Sequence, residues 1–219
     1  LAALDAAVVA MERQHGVLAG ILLRSALPSM RRDLQRALDA LLPLLDGLVP
    51  VLVETPDLST PLGDGGTRLT GRMDLVCAAS ADHDRNAPRQ AIIVDFKKGR
   101  LPGKDELRPG ESGELGRYQM PAYAALTLAA GYEPLAAYYL SIEGDARGKR
   151  LRCAFGPDKD AAVGPEGLSG LRDALEKACA RAAVILRRGE IFVPDPDDQE
   201  TVCQNCGYRS ICRVRYEVT

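Results

Sequence analysis

Apolar positions recur at helical spacing near the start of the chain: Leu4, Val8 and Met11, then Leu34, Leu38, Leu41 and Leu42. The pattern predicts two helices within residues 2–46, with Pro28 between them. From residue 48 the period changes. VPVLVE at 49–54 is short and β-branched, and TRLTGRMDLVCA at 67–78 alternates, so both read as strands. A Gly/Asp turn cluster at 63–66 separates them. AIIVDFKK at 91–98 is the most apolar of three consecutive strands, which predicts a central place in the sheet. A Gly/Pro-rich charged loop over 99–112 leads to a helix over roughly 115–130, ended by Gly131. Pro121 must then sit in the first turn or kink the helix. Strands at 135–142 and 150–155 form a hairpin, and a long amphipathic helix covers 166–188. The order predicts an α/β fold, a mixed sheet of about five strands with helical cover.

Composition narrows the classes. With 219 residues and 46% of them hydrophobic, the chain can bury the core of one large domain. No run of eighteen apolar residues and no signal-peptide pattern occur, so a cytoplasmic protein without a membrane span is expected. The chain opens on Leu1, not Met, which points to residues before it. A net charge of −2 excludes a globally basic nucleic-acid coat, so any nucleic acid must be held by a local patch or through metal ions. Two such patches stand out: Lys97, Lys98, Arg100, Lys104 and Arg108, and then Arg147, Lys149, Arg150 and Arg152. Of these, Lys98, Arg100 and Lys104 are the candidate DNA contacts, holding phosphates without reading bases.

The six cysteines fall into two sets. Cys77, Cys153 and Cys179 lie on apolar faces and read as small hydrophobes. Cys203, Cys206 and Cys212 form C-x2-C-x5-C, a spacing that lets thiolates converge on one metal through a knuckle loosened by Gly207. Three ligands are one short of a closed zinc or iron–sulfur site.

The acidic residues carry the sharper signal. Asp95 and Lys97, two apart on a strand, share a face, with Val94 and Phe96 packed behind them. If the strands at 67–78 and 91–98 pair, Asp74 comes beside Asp95. Two carboxylates so close repel unless a cation lies between them, and hard oxygen ligands suit Mg²⁺ or Mn²⁺. A lysine beside bound metal and water can orient a nucleophile and steady developing charge, which is the chemistry of phosphodiester hydrolysis. A solvated edge pair is the bland alternative; the cost of charge in so apolar a strand weighs against it.

GRMD at 71–74, IIVDFKKG at 92–99, QMPAYA at 119–124 and the terminal cysteines together resemble the PD-(D/E)XK nuclease superfamily. Within it they resemble the RecB/AddB branch, which includes CRISPR-associated spacer-acquisition nucleases. The likeness covers about residues 10–215. It implies a restriction-endonuclease-like fold with a C-terminal cysteine knuckle, in a single domain over 1–219 with a helical part at 1–46, a catalytic core at 48–188 and a tail at 189–219. It further implies Asp74, Asp95 and the Phe96 carbonyl as ligands to Mg²⁺ or Mn²⁺, Lys97 as the residue that orients water, and Gln119 and Tyr123 at the border of the site. His15 and Glu54 stand where branch members place further metal ligands. Cys203, Cys206 and Cys212 would belong to a [4Fe–4S] staple. Its fourth cysteine lies upstream in the family pattern, and here none precedes Cys77, so the ligand lies before Leu1 or zinc or nothing replaces the cluster.

The function implied is a metal-dependent deoxyribonuclease acting on single strands or ends, exonuclease-like, in recombination repair. No helicase motif occurs, so a motor would be a partner subunit or lie elsewhere on a parent chain. Two other classes remain open: a catalytically silent module that binds DNA ends, and an interaction protein whose acidic pair is structural.

Overall fold

A computed structural model describes residues 2–62, 67–79, 89–110, 116–144 and 148–188. The chain divides into two compact units, Leu1–Lys177 and Ala178–Thr219. Of the second, the described residues complete the last helix. The cysteine knuckle, Cys203, Cys206 and Cys212, lies outside the described residues.

Two helices open the first unit, α1 (Ala2–His15) and α2 (Val17–Leu41). The expected break at Pro28 is corrected: Pro28 lies inside α2, and the chain turns at Gly16, whose φ of 87° suits glycine. The ion pairs Glu12–Arg24 and Asp5–Arg31 run with opposite sequence sense, as in an antiparallel helical hairpin.

Five strands follow: β1 (Leu48–Leu62), β2 (Thr67–Ala79), β3 (Arg89–Lys97), β4 (Tyr132–Ser141) and β5 (Leu151–Phe155). They form one sheet in chain order, so β3 is central, as its apolar run foretold. The pairs β1–β2, β2–β3 and β4–β5 are antiparallel; β3–β4 is parallel. The crossover from β3 to β4 carries a single-turn helix, α3 (Lys104–Leu107), and then α4 (Gln119–Ala129). Pro121 is in the first turn of α4, where no intrahelical donor is lost. Gly131, with φ 87°, closes it. A last helix, α5, covers Leu168–Arg187.

Strand parity divides the core into two layers. Leu75, Cys77, Val94 and Leu140 pack on Ala37 and Leu41 of α2. The opposite parity, including Val76, Ile93, Ala137 and Tyr139, is also buried. On β3 this second parity carries Asp95 and Lys97, which is how the sheet brings charged groups to a covered face. Cys77, Cys153 and Cys179 are free thiols. Burial pushes Cys77 up and Cys153 up to about 12, so both stay protonated and pack as small apolar groups. No described helix is long and apolar enough to cross a membrane.

Candidate active site

The site starts from the register of β2 on β3. The last ladder pair is Leu75 opposite Val94, so one step further puts Asp74 level with Asp95. Asp74 Oδ2 accepts the backbone N–H of Phe96 at 2.8 Å, which fixes the carboxylate against the end of β3. Asp95 is only 2% exposed. Its parallel neighbour on β4 is Tyr139, whose own neighbour on β5 is Arg152.

α4 completes the cluster. Gln119 Nε2 donates to Asp95 Oδ1 at 2.6 Å, and Gln119 Oε1 accepts from Lys97 Nζ at 2.9 Å. The opposite amide orientation would set oxygen against carboxylate and NH₂ against ammonium, so the chemistry allows one orientation only. Gln119 Nε2 also lies 3.1 Å from the Tyr123 hydroxyl, one turn along the same helix face. Lys97 Nζ stands 2.7 Å from Asp95 Oδ2 and 5.3 Å above the centre of the Tyr139 ring. The helix comes this close to the sheet because residue 71 is glycine. A Cβ there would lie 3.1 Å from Leu126 Cδ1.

Electrostatics follow from that packing. Burial raises the Asp95 carboxyl above its ordinary range; the Lys97 contact pulls it back, and the charge of Asp74 pushes it up again. Asp95 Oδ2 has the Lys97 ammonium beside it but, among the described residues, takes no well-directed hydrogen bond. Burial and the two carboxylates also raise the Tyr123 hydroxyl, which therefore remains a donor. A buried carboxylate oxygen without a directed donor, with a second carboxylate alongside, fits a hard divalent cation. Asp74, Asp95 and the Phe96 carbonyl are the residues that could hold it.

One packing expectation is corrected: the Phe96 ring is 39% exposed and does not sit behind the carboxylates, whereas Val94 does enter the α2 layer. Phe96 is the penultimate residue of its strand, beyond the reach of Ala37 and Leu41.

The other candidates are His15 and Glu54. His15 is the exposed last residue of α1. Glu54, with φ 44°, lies on β1 between the register pairs Val53–Leu75 and Thr55–Met73, which puts it level with Asp74, and its carboxylate pairs with Arg72 at 3.0 Å. Among the described residues no three His, Cys, Asp or Glu side chains gather to hold a metal ion.

The basic loop is largely engaged. Lys98 faces Glu143 at 3.8 Å, Arg100 contacts Glu106 at 2.7 Å, and Lys104 faces Asp160 at 3.5 Å. In the second patch Lys149 faces Asp160 at 3.9 Å and Arg150 binds Asp33 at 3.0 Å. Two residues near the site escaped the sequence reading: Tyr139 and Glu106. The alternation of β4 would have offered Tyr139 once its register on β3 was known. Nothing in sequence spacing marks Glu106.

A family model described as the PD-(D/E)XK nuclease superfamily matches residues 1–213. The chain belongs to the PD-(D/E)XK nuclease superfamily. A search of curated proteins finds no match. In a PD-(D/E)XK nuclease the mixed sheet flanked by helices is the expected architecture, and this chain has it. Members of the superfamily generally use Mg²⁺ or Mn²⁺, and the family implies DNA as substrate.

Proposed function

We propose that this PD-(D/E)XK nuclease hydrolyses DNA phosphodiester bonds with Mg²⁺ or Mn²⁺ held by Asp74, Asp95 and the Phe96 carbonyl. The observation that carries the reading is Gln119, which binds Asp95 through one end of its amide and Lys97 through the other. A structural salt bridge needs no such arbiter, because Asp95 and Lys97 already touch. A helix-borne amide that fixes both groups is what a reaction centre requires.

When bound, the cation supplies Lewis-acid stabilisation of the phosphoryl oxygens and a more acidic water. Lys97 holds a compact positive charge beside Asp95. It can orient the attacking water and steady charge that develops on the phosphoryl group. Tyr123, kept protonated, can donate a hydrogen bond to a phosphate oxygen at the site's border. Lys98 and Arg100 are exposed enough to exchange their carboxylate partners for DNA phosphates.

The RecB/AddB resemblance supports a finer reading: end processing of single strands in recombination repair, together with a helicase. It also supports a [4Fe–4S] cluster or zinc on Cys203, Cys206 and Cys212. The test is incubation with linear single strands, linear duplex, closed circles and RNA, each with Mg²⁺, Mn²⁺ or EDTA. Degradation of linear DNA from its ends, absent in EDTA, supports the proposal. No cleavage of any substrate with either metal overturns it. Iron, sulfide and zinc assays on anaerobically purified protein extended before Leu1 decide the cluster; a protein with none refutes it.

A further inference from the structure

Glu106 lies in α3, on the stretch that leaves β3 just after Lys97. Its carboxylate gathers four contacts. Oε1 accepts the Gly103 N–H at 2.8 Å and Arg100 Nη2 at 2.7 Å. Oε2 accepts Arg117 Nε at 2.9 Å and Arg117 Nη2 at 2.7 Å. These contacts hold its pKa down to about 2, with the Gly103 hydrogen bond the largest cause and Arg117 next. The backbone joins in. Residue 116 packs so closely on the Glu106 carbonyl that a Cβ there would lie 2.9 Å from its oxygen, and glycine is what the sequence provides.

The connectivity gives this cluster its meaning. Arg117 is two residues before Gln119, at the entry of α4. Arg100 and Gly103 are three and six residues after Lys97, at the exit of β3. Glu106 therefore fastens together the two chain segments whose side chains, Lys97 and Gln119, meet at 2.9 Å. No ladder hydrogen bond can do this, because one segment leaves a strand and the other begins a helix. A carboxylate shared between two guanidiniums and an N–H is strong, directional and unaffected by proton exchange near neutral pH.

We propose that Glu106 is a positioning residue for the nuclease reaction, a latch that sets the distance between Lys97 and Gln119. The role rests on the nuclease reading for its effect on turnover, but not for its effect on structure. A displacement of the order of 1 Å at reacting groups costs about a hundredfold in rate. Without the latch Lys97 and Gln119 remain present but spend less time in register. Freed Arg100 and Arg117 would meanwhile favour DNA binding, so the loss belongs to kcat and not to KM.

The test combines Glu106→Ala, Gln119→Ala and the double variant in the full chain. Glu106→Ala is expected to lower kcat by about ten- to a hundredfold with KM unchanged or lower. In the Gln119→Ala background the same change should have little further effect, because the residue acts through Gln119. Fully multiplicative losses, or a rise in KM with kcat intact, overturn the proposal.

A second readout needs no activity. The Ala122 amide, bonded to Tyr118 O at 2.9 Å in the first turn of α4, should exchange about tenfold faster in Glu106→Ala. Ile93, deep in β3, should be unchanged. Equal protection of Ala122 in both proteins refutes the latch, even if the wild type cleaves nothing. Should Glu106→Ala not fold, Glu106→Gln serves: it keeps an acceptor for Gly103 but turns an NH₂ on Arg117, and the same two readouts apply.

Discussion

Gln119 Nε2 donates to Asp95 Oδ1 at 2.6 Å, so a helix side chain reaches the carboxylate buried at the centre of the sheet. The contact explains how Asp95 stays where burial disfavours its charge. One oxygen is held by an amide, and the other, among the described residues, is left with only the ammonium beside it. A buried anion in that condition is unstable by itself and gains from a cation.

The first expectation concerns Asp95. Its folded pKa is raised above the ordinary 3.8 by burial. A raised carboxyl contributes stability while protonated and loses it as pH rises through the folded value, so the ionised form weighs on the metal-free fold. Mn²⁺ offsets that weight, and only when the carboxylate is ionised. The rise in Tm caused by Mn²⁺ should therefore grow as pH rises above the ordinary carboxyl value and vanish in Asp95→Ala. The same variant should lose hydrolysis entirely while keeping its circular dichroism. A Mn²⁺ shift retained in Asp95→Ala would refute the ligand role.

Lys97 gives the second. Its ammonium fits between Asp95, Gln119 and the face of Tyr139, a space for a compact charge. Lys97→Ala should cut turnover by about a hundredfold or more and leave calorimetric Mg²⁺ affinity nearly unchanged. Lys97→Arg should not restore it, because a planar guanidinium needs a wider, flatter seat. Lost Mg²⁺ binding in a folded Lys97→Ala would count against the role assigned here.

The acid limb of stability should report Glu106. Its pKa falls from the ordinary 4.5 to about 2 on folding. A lowered carboxyl contributes stability above the unfolded value and loses it as pH falls through the folded one. The stability gap between wild type and Glu106→Gln should thus be constant near neutrality and shrink between pH 4.5 and about 2. Urea melts across that window check it; a gap independent of pH would show that the carboxylate charge does nothing.

What could be read from sequence followed strand parity. Asp95 and Lys97 had to share a face, and pairing with β2 then delivered Asp74. The apolar run at 91–94 marked β3 as central for the same reason: only a doubly covered strand tolerates it. What failed depended on neighbours. Pro28 does not end its helix here: it lies inside α2, and the chain turns at Gly16 instead. Phe96 has the parity of a core residue but lies past the end of α2's reach. Glu106 sits in a charged Gly/Pro-rich stretch whose composition suggests a solvated loop, while its function depends on Arg117, brought beside it by the fold alone.

Tyr139 offers a test that separates ring from hydroxyl. The residue is fully buried, yet among the described residues its hydroxyl has no hydrogen-bond partner. An unsatisfied buried hydroxyl costs about 1–3 kcal/mol. Tyr139→Phe removes that cost and keeps the ring under Lys97 Nζ. The variant should be more stable, by about 2–12 °C in Tm for a domain of this size, with kcat unchanged. Tyr139→Leu, which lacks the ring, should lose turnover. A Phe variant less stable than wild type would show that the hydroxyl is paired in solution.

Gly71 closes the set, because it links the sheet's sequence motif to the helix that carries Gln119. In GRMD the glycine is three residues before Asp74 and lies beneath Leu126 of α4. Its backbone is not in the left-handed region, so conformational freedom is not the reason for it. Space is: a Cβ would stand 3.1 Å from the Leu126 methyl. Gly71→Ala demands a few tenths of an ångström from Leu126, and Gly71→Val demands more than a well-packed helix gives. Overpacking of this kind costs about 1–3 kcal/mol. The helix can relieve it only by lifting from the sheet, which carries Gln119 away from Asp95 and Lys97. Gly71→Val should therefore lose stability and turnover together, and the companion change Leu126→Ala should restore part of both. Activity lost without any fall in Tm, or no recovery in the double variant, would show that Gly71 serves the site by some other route than helix approach.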